Sequence, residues 1–296
     1  MLSLLVFSST AHSWGLATHA YLDDQLNRKG GLMNAQEIYG GMAPDLFNYM
    51  FTSPYASDLY MQTHYQFMKV WDLARSMRAK ALSYGFVSHN NLWGADSTAH
   101  HAGRTVGLTE GYVIAKAKAL GNMAPLPPQL GIPPELTLTL YHAIVEAGVD
   151  ILVTQADPLI GQKMIDAALY RSRSFPYLLV RAYAADFSPY FGNPGAAARA
   201  IRSAESAFRK NVILYGYALV QDDMTSVQLV AEQMAETAEE YLAAQGIPLP
   251  PKEQLEQLLQ YYLRTAMLLC EPDYRQEITA TREYVDQQLI MYGITH

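Results

Sequence analysis

Residues 59–84 read LYMQTHYQFMKVWDLARSMRAKALSY, and this stretch decides the fold class. Its apolar side chains recur about every three to four positions, with long polar side chains between them, as on one face of an α-helix. A half-buried strand would instead alternate apolar and polar residues. The stretch therefore predicts an amphipathic helix, whose apolar positions are Leu59, Met61, Tyr65, Met68, Val70, Trp71, Ala74, Met77 and Leu82.

The same spacing continues through most of the chain. Gly246 and the prolines that follow it end one helix, and Asn193-Pro194-Gly195 separates two others. No Asn-Gly or Asp-Gly turn joins β-branched runs, so no hairpin is indicated. We therefore expect an all-α fold, with further helices at 136–156, 161–184, 196–220, 223–245, 252–270 and 273–291.

A proline-rich connector runs from Asn122 to Pro134 and contains five prolines. Its composition predicts an extended segment. Candidate metal ligands stand on both sides of it, which favours one shared site over two separate domains. The expected architecture is thus a single-domain helical bundle, residues 14–296, around a central site for several metal ions.

Composition narrows the classes of function. A chain of 296 residues with 50% hydrophobic content can bury a sizeable core. The net charge of −7 argues against binding polyphosphate through bulk electrostatics, but leaves open a nuclease whose metal ions carry the positive charge. The single cysteine, Cys270, excludes an intramolecular disulfide framework and a thiolate-rich zinc site. A metal site would have to use His, Asp and Glu.

Residues 1–13 have features of a secretory signal peptide. An apolar run over 2–7 precedes Ala11 and Ser13, which occupy the small-residue positions of a cleavage site. The run is short and has no basic residues before it, which a start codon assigned too far downstream would explain; an apolar first strand or helix is the alternative. We expect no later segment to span a bilayer, since none is long and apolar enough. The expected protein is soluble and either secreted or periplasmic.

Cleavage after Ser13 would make Trp14 the first residue of the mature chain. The sequence then begins Trp14-Gly15-Leu16-Ala17-Thr18-His19. The α-amino nitrogen and carbonyl oxygen of Trp14 become available as metal ligands, and His19 follows closely enough to join them.

Five of the six histidines that lie between His12 and His296 stand in motifs with other ligand-type groups. His89, Asp96 and His100 lie at i, i+7 and i+11, which places them on one face if the segment is a single helix. His142 and Glu146 lie at i and i+4, a spacing at which two side chains can bind one metal ion.

Two shorter motifs complete the set. Asp45 follows Pro44 and a predicted Gly40-Gly41 turn, and His64 lies within a predicted helix. Nitrogen and oxygen ligands without sulfur suit zinc in a hydrolytic site. Each motif alone has an ordinary alternative: a buried histidine, a solvated His–Glu pair, or an N-cap at Asp45. These alternatives do not explain why nearly every histidine stands in such a motif.

These motifs resemble those of the zinc-dependent phospholipases C, to which the single-strand-specific fungal nucleases are related. The resemblance covers roughly residues 14–150, half of the chain. Its ordered motifs are Trp-Gly-x-x-Thr-His, Pro-Asp, a helical His, a His/Asp/His helix and His-x-x-x-Glu. The first and the last of these are the most specific.

The resemblance implies three zinc ions at the centre of a helical bundle. It assigns one ion to Asp45, His64, His89 and Asp96; a second to Trp14, His19 and Asp96; and a third to His100, His142 and Glu146. The family usually has His-x-x-x-Asp, whereas six residues separate His89 from Asp96 here. Either an extra near-turn keeps the same helix face, or Asn90-Asn91 and Gly94 mark a local bulge. His101 is not expected to be a ligand.

The implied activity is hydrolysis of a phosphodiester. Clustered divalent ions bind phosphoryl oxygens and lower the pKa of a bound water from about 15.7 towards about 7. Asp45 is the candidate for orienting or deprotonating that water.

The substrate is expected to be a phospholipid, with peripheral contact to a membrane surface. Residues 46–60 could supply an apolar approach surface, although core aromatic residues are equally compatible with that pattern. A nuclease could stack bases on the same rings, but no basic stripe accompanies them. A metal-stabilised helical binding protein without turnover is the alternative from another class. Residues 160–296 carry no identified chemistry.

Overall fold

The computed structural model describes residues 14–26, 31–47, 55–244 and 246–295, and within these ranges the chain is all-α, as expected. The predicted signal peptide, residues 1–13, lies outside the described residues. Two short 3-10 helices, Ala43–Phe47 and Pro128–Leu130, accompany the α-helices. The α-helices are α1 (Leu16–Leu26), α2 (Gly31–Met42), α3 (Ala56–Tyr65), α4 (Met68–Leu73), α5 (Met77–His89), α6 (Ala95–His100), α7 (Tyr112–Met123), α8 (Pro134–Ala156), α9 (Ile160–Tyr170), α10 (Phe175–Phe191), α11 (Pro194–Leu219), α12 (Asp223–Ala244), α13 (Lys252–Cys270) and α14 (Tyr274–Met291).

Two long predicted helices are in fact interrupted. The stretch 59–84 is divided among α3, α4 and α5, and Ser76 caps the last of these by accepting a hydrogen bond from the Ala79 amide at 3.2 Å. The stretch 161–184 is divided between α9 and α10. Between those helices the Gln36 side chain bonds to the Ser172 amide and the Tyr170 carbonyl, so buried polar contacts replace helical hydrogen bonds.

The predicted turn at Gly40-Gly41 is wrong, because both residues lie inside α2. Gly40 and Gly85 are required by helix packing: a Cβ at Gly40 would lie 2.0 Å from the Leu82 carbonyl oxygen, and one at Gly85 would lie 2.0 Å from the Glu37 carbonyl oxygen. Glycines therefore let α2 and α5 approach closely. This contact places the C-terminal end of α2, just before Asp45, beside the C-terminal end of α5.

The expectation that no later segment is long and apolar enough to span a bilayer is wrong for the central helix α8. Residues Leu136–Ala156 are long and apolar enough to do so, and 67% of an 18-residue apolar stretch within them is buried inside the protein. The helix packs against α1, α7 and α13. Burial among these neighbours accounts for its apolar composition, and the helix also carries His142 and Glu146.

Burial of Cys270 against Tyr112 leads to a chemical prediction. Burial raises the pKa of the Cys270 thiol to about 12, and its side chain is inaccessible. Because the thiolate is the reactive form, an aromatic disulfide reagent should react at least about 100-fold more slowly with the native protein than with the protein in urea. Absorbance of the released thiolate measures both rates. Equal rates would show that Cys270 is accessible in the native state.

Candidate metal centre

The structure brings five of the predicted ligands into one buried cluster. They come from α1, the 3-10 helix after α2, α3, the end of α5 and the start of α6, and no more than 5% of any of them is exposed. Two sets of three have ligand atoms within 4.8 Å of one another, and they share His89. We call this set, His19, Asp45, His64, His89 and Asp96, the inner cluster.

Two histidines of the inner cluster point the same ring nitrogen at each other. His89 Nδ1 lies 2.7 Å from the Gly41 carbonyl oxygen, and His64 Nδ1 lies 3.1 Å from the Tyr60 carbonyl oxygen. A carbonyl oxygen only accepts, and the Thr63 hydroxyl, 2.9 Å from His64 Nδ1, has the Pro44 and Tyr60 carbonyls as its own acceptors. We therefore assign the proton of each ring to Nδ1, which leaves a lone pair on each Nε2. The two Nε2 atoms are 3.0 Å apart. In this tautomer the two lone pairs cannot hydrogen-bond to each other, and a cation bound beside them would satisfy both.

His19 gives a second indication of the same kind. Its ring is fully buried, and neither nitrogen has a hydrogen-bond partner among the described residues. The ring stacks on that of His89 with centroids 3.9 Å apart. Burial lowers the pKa of His19 well below 6.5, so the imidazole is neutral. A buried polar atom without a partner costs about 1–3 kcal/mol, which a bound metal ion would offset.

The inner-cluster carboxylates face histidine rings that, when protonated, lower the carboxylate pKa values. Burial alone would raise the pKa of Asp96, but His100, followed by His64 and His89, outweighs burial and lowers that pKa well below its ordinary value. His89 and His64 likewise lower the pKa of Asp45 against the effect of burial. Asp45 Oδ1 lies 3.3 Å from His64 Nε2 and 3.7 Å from His89 Nε2. Negative charge therefore lies beside the paired lone pairs.

Asp96 connects the inner cluster to a second group. Its Oδ1 lies 3.3 Å from His100 Nδ1, and its Oδ2 accepts a hydrogen bond from the Tyr60 hydroxyl at 3.0 Å. Burial raises the pKa of Tyr60 well above its ordinary value, so the phenol stays protonated and can donate this bond. No sequence motif singles out Tyr60 for this role, although it stands one helical turn before His64 on α3.

The second group, which we call the outer cluster, consists of His100, His142 and Glu146. His142 Nε2 lies 2.8 Å from Glu146 Oε1 and 3.2 Å from His100 Nε2. The ligand atoms lie within 4.8 Å of one another. The Glu146 side chain is 14% exposed, so this group is more open to solvent than the inner cluster.

The predicted single helix through His89, Asp96 and His100 is wrong. Helix α5 ends at His89 and α6 begins at Ala95, so the intervening residues are neither an extra near-turn nor a bulge within one helix. Asn90 Oδ1 accepts hydrogen bonds from the amides of Leu92, Trp93 and Gly94, which stabilises a loop between the two helices. The loop still directs all three side chains towards the clusters.

The side chain of Trp14 packs beside the metal centre. The indole Nε1 donates to Thr98 Oγ1 at 3.0 Å, and the ring stacks on Tyr112. The expected role of its main-chain amino group depends on cleavage after Ser13, which lies outside the described residues. His101 is exposed and belongs to none of the three groups with metal-ligand spacing.

The apolar segment 46–60 is only partly described. Leu46, Phe47 and Tyr60 are buried, and the Phe47 ring packs edge-on against Phe187. Tyr49, Met50 and Phe51 lie outside the described residues. The described members thus belong to the core and do not form an exposed apolar surface.

Comparison of this chain with known proteins found no relative. No protein-family model, no curated protein and no solved structure matches this chain. Function is therefore inferred from the chemistry of the two clusters.

Proposed function

We propose that this chain is a zinc-dependent phosphodiester hydrolase of the phospholipase C type, acting on phospholipids with up to three zinc ions. The observation that carries the proposal is the 3.0 Å approach of His64 Nε2 and His89 Nε2, flanked by the carboxylates of Asp45 and Asp96. A core packed only for stability would pair such atoms with hydrogen-bond donors.

The donor set is compatible with zinc. It contains imidazole nitrogens and carboxylate oxygens and no sulfur, and both ligand types bind zinc. The inner cluster, with the main-chain groups of Trp14 after cleavage, would hold two ions. The outer cluster would hold the third.

The chain's own residues suit phosphodiester hydrolysis. Bound zinc ions would supply Lewis acidity to the phosphoryl group and to the attacking water. Asp45, whose Oδ1 lies 3.3 Å from His64 Nε2 and 3.7 Å from His89 Nε2, orients that water and accepts its proton. Tyr60 fixes the Asp96 carboxylate by donating to Oδ2, and the carbonyls of Gly41 and Tyr60 fix the two histidine rings. Substrate would enter from the outer cluster, where Glu146 is partly exposed.

Phospholipid is preferred over nucleic acid because the net charge of −7 disfavours binding of a polyanion. The test is a screen of the purified protein with phosphatidylcholine vesicles, a glycosyl-phosphatidylinositol and single-stranded DNA. We expect release of the phosphorylated head group, loss of that release with a chelator, and its recovery with zinc. The exposed His101→Ala variant is the matched control and should act like the unmodified protein.

Two results would contradict the lipid proposal. Zinc-dependent cleavage of DNA without cleavage of lipid would indicate the single-strand nuclease alternative. Tight zinc binding without hydrolysis of any substrate would indicate a metal-stabilised binding protein.

The role of Asp45 is tested by Asp45→Asn. If Asp45 accepts a proton from the attacking water, turnover should fall about 10²- to 10⁴-fold. Zinc content, measured by mass spectrometry on the same sample, should fall by much less. A parallel loss of zinc and turnover would show that Asp45 acts only as a metal ligand and does not accept the proton.

A further inference from the structure

The N-terminal end of α1 is bound by a carboxylate from the central helix α8. Asp150 accepts hydrogen bonds from the Ala17 amide at 3.0 Å, the Thr18 amide at 2.8 Å and the Thr18 hydroxyl at 2.8 Å. Its side chain is buried, with 1% of the residue exposed. First-turn amides of a helix have no intrahelical acceptor, and a carboxylate at that end is favoured by the helix dipole.

This contact explains two positions of the Trp14-Gly15-x-x-Thr18 motif. A Cβ at Gly15 would lie between 2.4 and 2.5 Å from the Asp150 carboxylate atoms, so a side chain there would displace the carboxylate. Thr18 supplies both an amide and a hydroxyl donor to Asp150. The glycine makes room for the carboxylate and the threonine binds it.

The contact also joins the two clusters. Asp150 stands four residues after Glu146 and eight after His142, so all three lie on nearby faces of α8. On the other side, His19 directly follows Thr18 in α1. The helix that carries two of the three outer-cluster residues is therefore bonded to the segment that carries His19.

We propose that Asp150 is a positioning residue that sets the Trp14–His19 segment against α8 and so completes the metal site at His19. Asp150 is not itself in any of the three groups with metal-ligand spacing. The inference rests on the proposed function only in that the bound ion is zinc. Mutation of a group that orients metal ligands without binding the metal itself typically lowers metal affinity by about 10- to 100-fold.

The test uses Asp150→Asn, whose amide keeps the volume but turns a donor towards the helix amides. We expect zinc affinity at the inner cluster to fall about 10- to 100-fold in a chelator competition, while the outer cluster keeps its ion. Cobalt substitution gives an independent signature, since the visible absorption of the inner ions should weaken and that of the outer ion should remain.

A second pair of variants tests the same contact if Asp150→Asn does not fold. Thr18→Val removes only the hydroxyl donor, and Thr18→Ser keeps it. We expect Thr18→Val to weaken inner-cluster zinc binding and Thr18→Ser to restore it.

Zinc binding by the unmodified protein distinguishes failure of the proposed function from failure of the positioning role of Asp150. If the unmodified protein binds no zinc, the proposed function fails and this inference fails with it. If the unmodified protein binds zinc and the variants lose thermal stability but keep all ions at unchanged affinity, Asp150 has a structural role only, and the positioning proposal alone is overturned.

Discussion

Replacing Asp96 by Asn should cause the largest loss of activity of any single conservative change in this protein. Asp96 faces His100 with one oxygen and receives the Tyr60 hydroxyl on the other, while His64 Nε2 lies 4.0 Å away. The amide keeps the size of the side chain but removes the charge shared by both clusters. The loss of several kcal/mol of charge stabilisation corresponds to a decrease in kcat/KM on the order of 10³-fold.

Zinc content of Asp96→Asn should fall by at least one equivalent, measured on the same preparation as the kinetics. Asp166→Asn is a suitable control, because Asp166 lies on α9 outside both clusters and accepts a hydrogen bond from the Gln162 side chain. This control should retain full zinc content and activity. Unchanged zinc content and unchanged kcat/KM in Asp96→Asn would show that Asp96 does not take part in the metal centre.

Removing zinc should have the largest effect on stability. Without a cation, the lone pairs of His64 and His89 face each other at 3.0 Å and both nitrogens of His19 stay buried without partners among the described residues. An ion present at about a thousand times its Kd contributes about 4 kcal/mol. For a chain of this size, that corresponds to a Tm lower by about 10 °C for each such ion removed.

Differential scanning calorimetry with and without a chelator measures this shift, and added zinc should reverse it. His142→Ala removes an outer-cluster ligand, so this variant should show a smaller chelator-dependent shift than the unmodified protein. His101→Ala should show the full shift. Identical Tm values for the unmodified protein before and after complete chelation would mean that the clustered side chains are stable without an ion.

Helices with clear end signals could be predicted closely from the sequence. The expected stretch 252–270 is α13, and 273–291 differs from α14 by one residue, because Pro251 and Glu271-Pro272-Asp273 mark the boundaries. The stretch 59–84 could not be divided correctly, because its apolar spacing continues through the breaks. There, local caps such as Ser76 and tertiary packing decide the ends.

The convergence of the candidate ligands could be predicted from residue chemistry, whereas their orientation could not. His64 and His89 were identified by type and spacing, but their directions depend on the carbonyls of Tyr60 and Gly41, which no sequence pattern reveals. The Gly40-Gly41 pair was interpreted as a turn, since a packing glycine and a turn glycine look the same in sequence. Asp150 carried no motif, because its partner lies 132 residues away at Thr18.

The most direct measurement of the central claim is anomalous diffraction at the zinc absorption edge from crystals of the purified protein. We expect anomalous peaks within the inner cluster, beside His64, His89 and Asp96, and a further peak among His100, His142 and Glu146. Absence of any peak at both clusters, with the imidazole nitrogens of His19, His64 and His89 bonded to protein or water donors instead, would contradict the account.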